Sequence, residues 1–121
     1  MIMIKWILSL FIFAFSLSSH AGTEYLNCPQ ATATNHPNFC ASFKTAAACH
    51  CVESGLPNRM CQNMSTIYNL MITRFGSIYK ACAYQHDTPV QVCIDDWNCY
   101  RSGGRDSQGQ LCGATGSPCG N

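Results

Sequence analysis

The sequence predicts a small all-α domain: a disulfide-stapled bundle of about four helices, with an extended N-terminal arm and a loop-rich C-terminal tail. Three observations carry that prediction. Apolar residues recur at helical spacing through the middle of the chain, ten cysteines are distributed along it, and Gly, Pro and capping residues punctuate the periodic stretches.

Residues 58–75 form the stretch around which the rest is organised. At about 100° per residue, Met60, Met64, Ile67, Tyr68, Met71 and Phe75 fall on one stripe, with Cys61 and Ile72 at its edge. Arg59, Gln62, Ser65, Thr66, Asn69 and Thr73 fall opposite. A helix over 58–75 is expected, and Cys61 would staple its first turn. The same phase continues through Ile78, Tyr79, Cys82 and His86. One unbroken helix of that length would span roughly 43 Å at 1.5 Å per residue, far beyond the roughly 13 Å radius of gyration of a small globule. A break at Gly76 is therefore expected, with Ser77 capping a second helix to about His86.

Before this region, Asn38 can cap a helix in which Phe39, Cys40, Phe43, Ala46, Ala47 and Cys51 share a face, ended by Gly55 and Pro57. Ala46, Ala47 and Ala48 favour helix and leave room for a close neighbour. After it, Thr88-Pro89 reads as a cap followed by a first helical residue. Val90, Cys93, Ile94, Trp97 and Tyr100 supply the apolar face of a last helix that stops at Ser102-Gly103-Gly104. Cys99 lies off that face, so a bond to Cys112 or Cys119 would strap the tail over the helix. Residues 22–37 have no period and form the expected arm, tied down by Cys28.

The first residues bear on compartment. A short n-region with Lys5, an apolar run over residues 6–17 and small residues at Ser19 and Ala21 form a secretory signal peptide, with cleavage expected after Ala21. The run is too short to span a bilayer, which needs roughly 20 apolar residues. The mature domain, residues 22–121, keeps all ten cysteines: Cys28, Cys40, Cys49, Cys51, Cys61, Cys82, Cys93, Cys99, Cys112 and Cys119. An even count in an exported chain reads as disulfides, whose connectivity the spacing leaves open. Without Lys5, six Lys and Arg balance six Asp and Glu. Net neutrality argues against nucleic-acid binding through bulk charge. No cofactor and no further membrane span are expected, and the domain reads as a monomer.

The chemical motifs are few. Cys49-His50-Cys51 has the composition of a metal site, yet on a helix its two cysteines diverge by about 160° and cannot chelate one ion. They are expected to staple the helix to two different neighbours, and no metal is assigned. Methionines flanking Cys61 read as core fillers. Asp95-Asp96, the only adjacent carboxylates, point to different helix faces and do not make a glycosidase pair. Asn63-Met64-Ser65 fits a glycosylation sequon inside a helix.

Cys82-Ala83-Tyr84-Gln85-His86-Asp87 resembles the Cys-Cys-x-x-His-Asp helix of secreted phospholipases A2. The resemblance implies His86 as the base that activates water and Asp87 as a calcium ligand, in a small lipid hydrolase. Ala83 stands where that motif has its second cysteine, and no glycine-rich calcium loop lies upstream. In its layout the chain also resembles the small cysteine-rich helical proteins exported by type II secretion in Legionella-like bacteria, and is similar in kind to saposins, elicitins and plant lipid-transfer proteins. That class-level resemblance implies a secreted, non-enzymatic binding or effector protein whose partner is a host membrane lipid such as a phosphoinositide, or a host protein. An inhibitor-like or structural protein-binding module is the further alternative. For an anionic lipid, the expected ligand-binding residues are Arg59, Arg74, Tyr79 and Lys80. Arg59 and Arg74 fall about 60° apart around a continuous helix, the break at Gly76 could swing Lys80 toward them, and Tyr79 suits a membrane interface. Arg101 and Arg105 are the next cations to consider.

Overall fold

The computed structural model describes residues 28–85 and 88–120. Among them are four α-helices, with no strand beyond one isolated Arg105–Leu111 bridge. They are α1 (Phe39–Glu53), α2 (Met64–Phe75), α3 (Ile78–Tyr84) and α4 (Val90–Ser102), with short 3-10 turns at Asn58–Cys61 and Cys112–Ala114. α1 packs on α2 and α4, α2 on α3, and α3 on α4. The expected signal peptide and its cleavage site lie outside the described residues. Among the described residues, no helix is long and apolar enough to cross a membrane.

α1 forms where expected. Phe39, Phe43, Ala46, Ala47 and Cys51 are its buried face, and beyond Ser54 the chain turns at Gly55, whose φ of 100° suits glycine. Asn38 sits at the cap position, but its side chain makes no capping bond. The arm is fastened to α1 instead: the Thr32 N–H donates to Ser42 Oγ at 3.0 Å, and Cys28 is bonded to Cys49.

The organising helix begins later than its apolar period suggests. Residues Asn58–Cys61 make a separate 3-10 turn, and Asn63, extended at φ −112° and ψ 125°, caps α2 by accepting from the Thr66 N–H at 3.1 Å. An Asn side chain competes with helical backbone for that donor, so the helix restarts there. The stripe survives from Met64 onward: Met64 and Ile67 are buried, and Tyr68 and Met71 pack against the core. Ser65, Thr66, Asn69 and Thr73 are exposed.

The break at Gly76 is present. Gly76 is left-handed at φ 91°, and Ser77 Oγ accepts from the Lys80 N–H at 3.1 Å to start α3. α3 ends at Tyr84, short of the expected His86, because the Cys82–Cys93 bond joins it to α4 across only 11 positions and the chain must reverse between them. In α4 the expected cap shifts by one residue. Pro89, not Thr88, is the flanking residue, with ψ 145°, and no side chain caps the helix. Proline fixes φ and leaves ψ free, so it serves as readily outside the first turn as inside it.

The cysteines pair as Cys28–Cys49, Cys40–Cys119, Cys51–Cys61, Cys82–Cys93 and Cys99–Cys112. Cys49 and Cys51 thus staple α1 to two different neighbours, the arm and the 3-10 turn. Cys99 takes Cys112, and the tail closes over the end of α4 through Cys119 N–H to Tyr100 O at 2.9 Å and Gly104 N–H to Gly116 O at 2.7 Å. Such pairing fits an oxidising compartment. With so little area available for a core in a chain this short, the cross-links supply stability that burial alone cannot.

Candidate functional site

A groove of about 1160 Å³ runs between the helices and the arm. Its apolar walls are Phe43, Ala46 and Ala47 from α1, Ile67, Leu70 and Met71 from α2, Ala81 from α3, and Val92 and Trp97 from α4. Phe43, Ala46, Ala47, Ile67, Met71 and Trp97 are inward positions of their helical periods, so the amphipathic pattern that builds the core also builds much of the groove, while Val92 joins it from the exposed side of α4. Size and lining suit a ligand with an apolar chain.

Polar groups reach the groove from several elements, two of which bring charge that bears on a ligand. From the end of α2, before the elbow, come Arg74 and Phe75, and Tyr84 joins them from the far end of α3. The Arg74 guanidinium lies 5.9 Å from the Phe75 ring centroid, and Phe75 and Tyr84 are 4.9 Å apart, centroid to centroid. From α4 and the tail come Asp95, Asp96 and Asp106.

These carboxyls have different tasks. Asp106 accepts from Thr34 Oγ1 at 2.7 Å and from the Gln108 and Gln110 N–H groups at 2.9 Å, fastening the tail to the arm. Those bonds, Thr34's first, hold its carboxyl below the usual range. Asp95 accepts from Ser107 Oγ at 2.5 Å and from Gln91 Nε2 at 3.0 Å. Asp96 is different. It is 8 % exposed, and no hydrogen bond or ion pair from another described residue reaches its carboxyl. Burial, and then the neighbouring Asp95 charge, push its pKa up to about 7.

The residues expected from sequence to bind an anionic lipid are only partly gathered. Arg74, Tyr79 and Lys80 flank the Gly76 elbow, with Tyr79 and Lys80 exposed. The Lys80 stem lies over Gly76, where a Cβ would come within 4.0 Å of its Cδ. Arg59 sits in the 3-10 turn before Asn63, with all of α2 between it and Arg74. The 60° relation assumed a continuous helix, and the Asn63 cap removes that basis. Arg101 and Arg105 are committed elsewhere: Arg101 lies 3.6 Å over the Tyr68 ring, and Arg105 donates to Gly109 O at 2.7 Å. His86 and Asp87 lie outside the described residues. No cluster of three metal-ligating side chains occurs among the described residues.

From sequence Asp96 was weighed only as half of the Asp95-Asp96 pair, although a further signal was there. It follows Cys93 by three positions and precedes Tyr100 by four, a spacing that puts it on the apolar stripe of α4.

The chain matches no protein-family model, no curated protein and no solved structure.

Proposed function

We propose that this is a secreted, non-enzymatic binding protein that acts as an effector by engaging an anionic membrane lipid of the phosphoinositide class. The apolar groove takes the chain, and Arg74, Lys80 and Tyr79 meet the phosphate at the elbow. The observation that carries this reading is that Arg74 lines an apolar groove of about 1160 Å³ while Tyr79 and Lys80 stand exposed just past the Gly76 turn. A guanidinium forks onto phosphate oxygens, an ammonium adds a mobile positive charge, and a tyrosine places its ring among chains and its hydroxyl in water. Export is read from the apolar run at residues 6–17 and from the cysteine content.

The test is vesicle sedimentation of the disulfide-intact mature protein, comparing phosphatidylcholine vesicles with vesicles that also contain phosphoinositide. Selective sedimentation with phosphoinositide is expected, falling steeply as salt screens the elbow. Arg74→Glu combined with Lys80→Glu should abolish it without altering the far-UV circular dichroism. Undiminished sedimentation of that double variant would overturn the assignment of the elbow.

A further inference from the structure

We infer that the groove seats the protonated primary amine of an amphiphile on Asp96, an inference that rests on the reading of the groove as the site of an apolar chain. The starting point is a carboxyl with no hydrogen-bond partner among the described residues. Asp96 is more than nine-tenths buried and lines the groove. Among the described residues, every fully enclosed side-chain oxygen or nitrogen has a hydrogen-bond partner. The Asp96 carboxyl, which has none among them, is therefore not fully enclosed, and the groove is the cavity it lines. A polar group left this way is costly unless something satisfies it.

The surroundings select the charge of that something. Asp95 and Asp106 line the same groove, and the bonds to Asp106 keep it ionised. An anionic head placed against Asp96 would add to the Asp95 charge that already acts on it, whereas an ammonium would meet complementary charge and offer three donors. The other charged or titratable side chains lining the groove are His50 and Glu53 from α1, Arg74 from α2 and Tyr84 from α3. Arg74 enters beside the elbow with Phe75, whereas Asp95 and Asp96 stand on α4 and Asp106 on the tail. The alkyl chain would run along Phe43, Ile67, Met71 and Trp97.

Ionised Asp96 is the form that pairs with an ammonium. Its pKa of about 7, raised by burial, then gives the direction of the pH dependence. Below that value, each unit of falling pH weakens amine binding by up to about tenfold, because a proton must be displaced. Above it, affinity levels off until the amine itself deprotonates at about pH 10.

Trp97 is the only tryptophan after residue 21 and lines the groove, so its fluorescence reports occupancy. The disulfide-intact mature protein would be titrated with dodecylammonium, dodecanol and dodecyl phosphate, each below its micelle concentration. At about pH 8 dodecylammonium is expected to bind at least about tenfold more tightly than dodecanol, and at about pH 5.5 that advantage should disappear. Asp96→Asn should keep dodecanol binding and lose the amine preference at every pH. Dodecanol binding with no amine preference in the parent protein would overturn this inference and leave the groove reading standing. The same holds for an amine preference that Asp96→Asn does not change. If none of the three amphiphiles perturbs Trp97, the groove reading fails and this inference with it. The pH dependence of the parent protein decides the matter even if the variant does not fold.

Discussion

Trp97 meets Phe43 edge-on, with ring centroids 4.9 Å apart and planes at 85°. This contact locks α4 against α1, and Tyr68 of α2 leans on the same indole at 5.6 Å. Edge-to-face pairs stabilise beyond the area they bury, so one aromatic cluster fixes three helices and forms part of the groove wall.

Truncating the centre of that cluster should be expensive. Phe43→Ala is expected to destabilise by about 3–5 kcal/mol as a buried large-to-small change. Thr66→Ala, on the exposed side of α2, should change stability by less than about 0.5 kcal/mol. Thermal denaturation of both variants measures the contrast, and equal losses would mean the buried stripe is misplaced.

Two adjacent glycines should respond differently to alanine. At Gly103, φ is 67° and an added Cβ would lie 2.5 Å from Gly116 O and 2.6 Å from Pro118 N, both backbone atoms that cannot step aside. At Gly104, φ is 82° but nothing lies within 4 Å. Gly104→Ala should therefore cost only the left-handed strain of about 1 kcal/mol. Gly103→Ala adds overpacking and should cost at least about 3 kcal/mol in total. Denaturant midpoints compare the two directly.

The cross-links should differ in weight. Cys40–Cys119 joins positions 79 apart, and Cys82–Cys93 joins positions 11 apart. Loop closure entropy gives about 4–5 kcal/mol for the first and about 3 for the second. Replacing each pair by serine and measuring unfolding in denaturant should reproduce that order. Full reduction should abolish cooperative unfolding, since the total stability of such a domain is only about 5–15 kcal/mol.

Asp96 should make the protein less stable as pH rises. The unfolded chain releases this proton near the ordinary 3.8, whereas the folded protein holds it to about 7. Between those values the folded state binds more protons, so stability falls with increasing pH and then levels off. Asp96→Asn is expected to be nearly neutral at about pH 4 and to stabilise by on the order of 2–4 kcal/mol at about pH 8. Asp106 works in the opposite sense, because its lowered pKa adds stability that is lost as pH falls through the folded value. Melting temperatures of parent and Asp96→Asn across that range separate the two carboxyls.

Local signals were legible wherever one residue type has one physical use. Gly76 breaks the helix because a left-handed φ favours glycine, and Ser77 caps the next helix because its hydroxyl reaches a free N–H. The buried face of α1 could be listed from periodicity alone. The start of α2 was misjudged because period carries no information on which backbone donors a side chain has already taken, and Asn63 takes the one on Thr66.

The candidate site divides the same way. Arg74, Tyr79 and Lys80 were identifiable as exposed and close in sequence, and a tight elbow keeps such neighbours together. Arg59 depended on helical continuity over a longer stretch. Asp96 could be placed on the apolar stripe of α4, but its missing partner becomes visible only when the arm, α1 and the tail are in position around it.

By itself the sequence determined the all-α class, the arrangement of helices around Gly76 and the divergence of Cys49 and Cys51, because helix period, capping and left-handed glycine act within a few residues. Tertiary structure alone decided which cysteines pair, which cations stay exposed and that Asp96, without a hydrogen-bond partner among the described residues, lines an apolar groove. Those outcomes depend on distances between residues far apart in sequence: Cys40 meets Cys119 and Thr34 meets Asp106 only once four helices have packed.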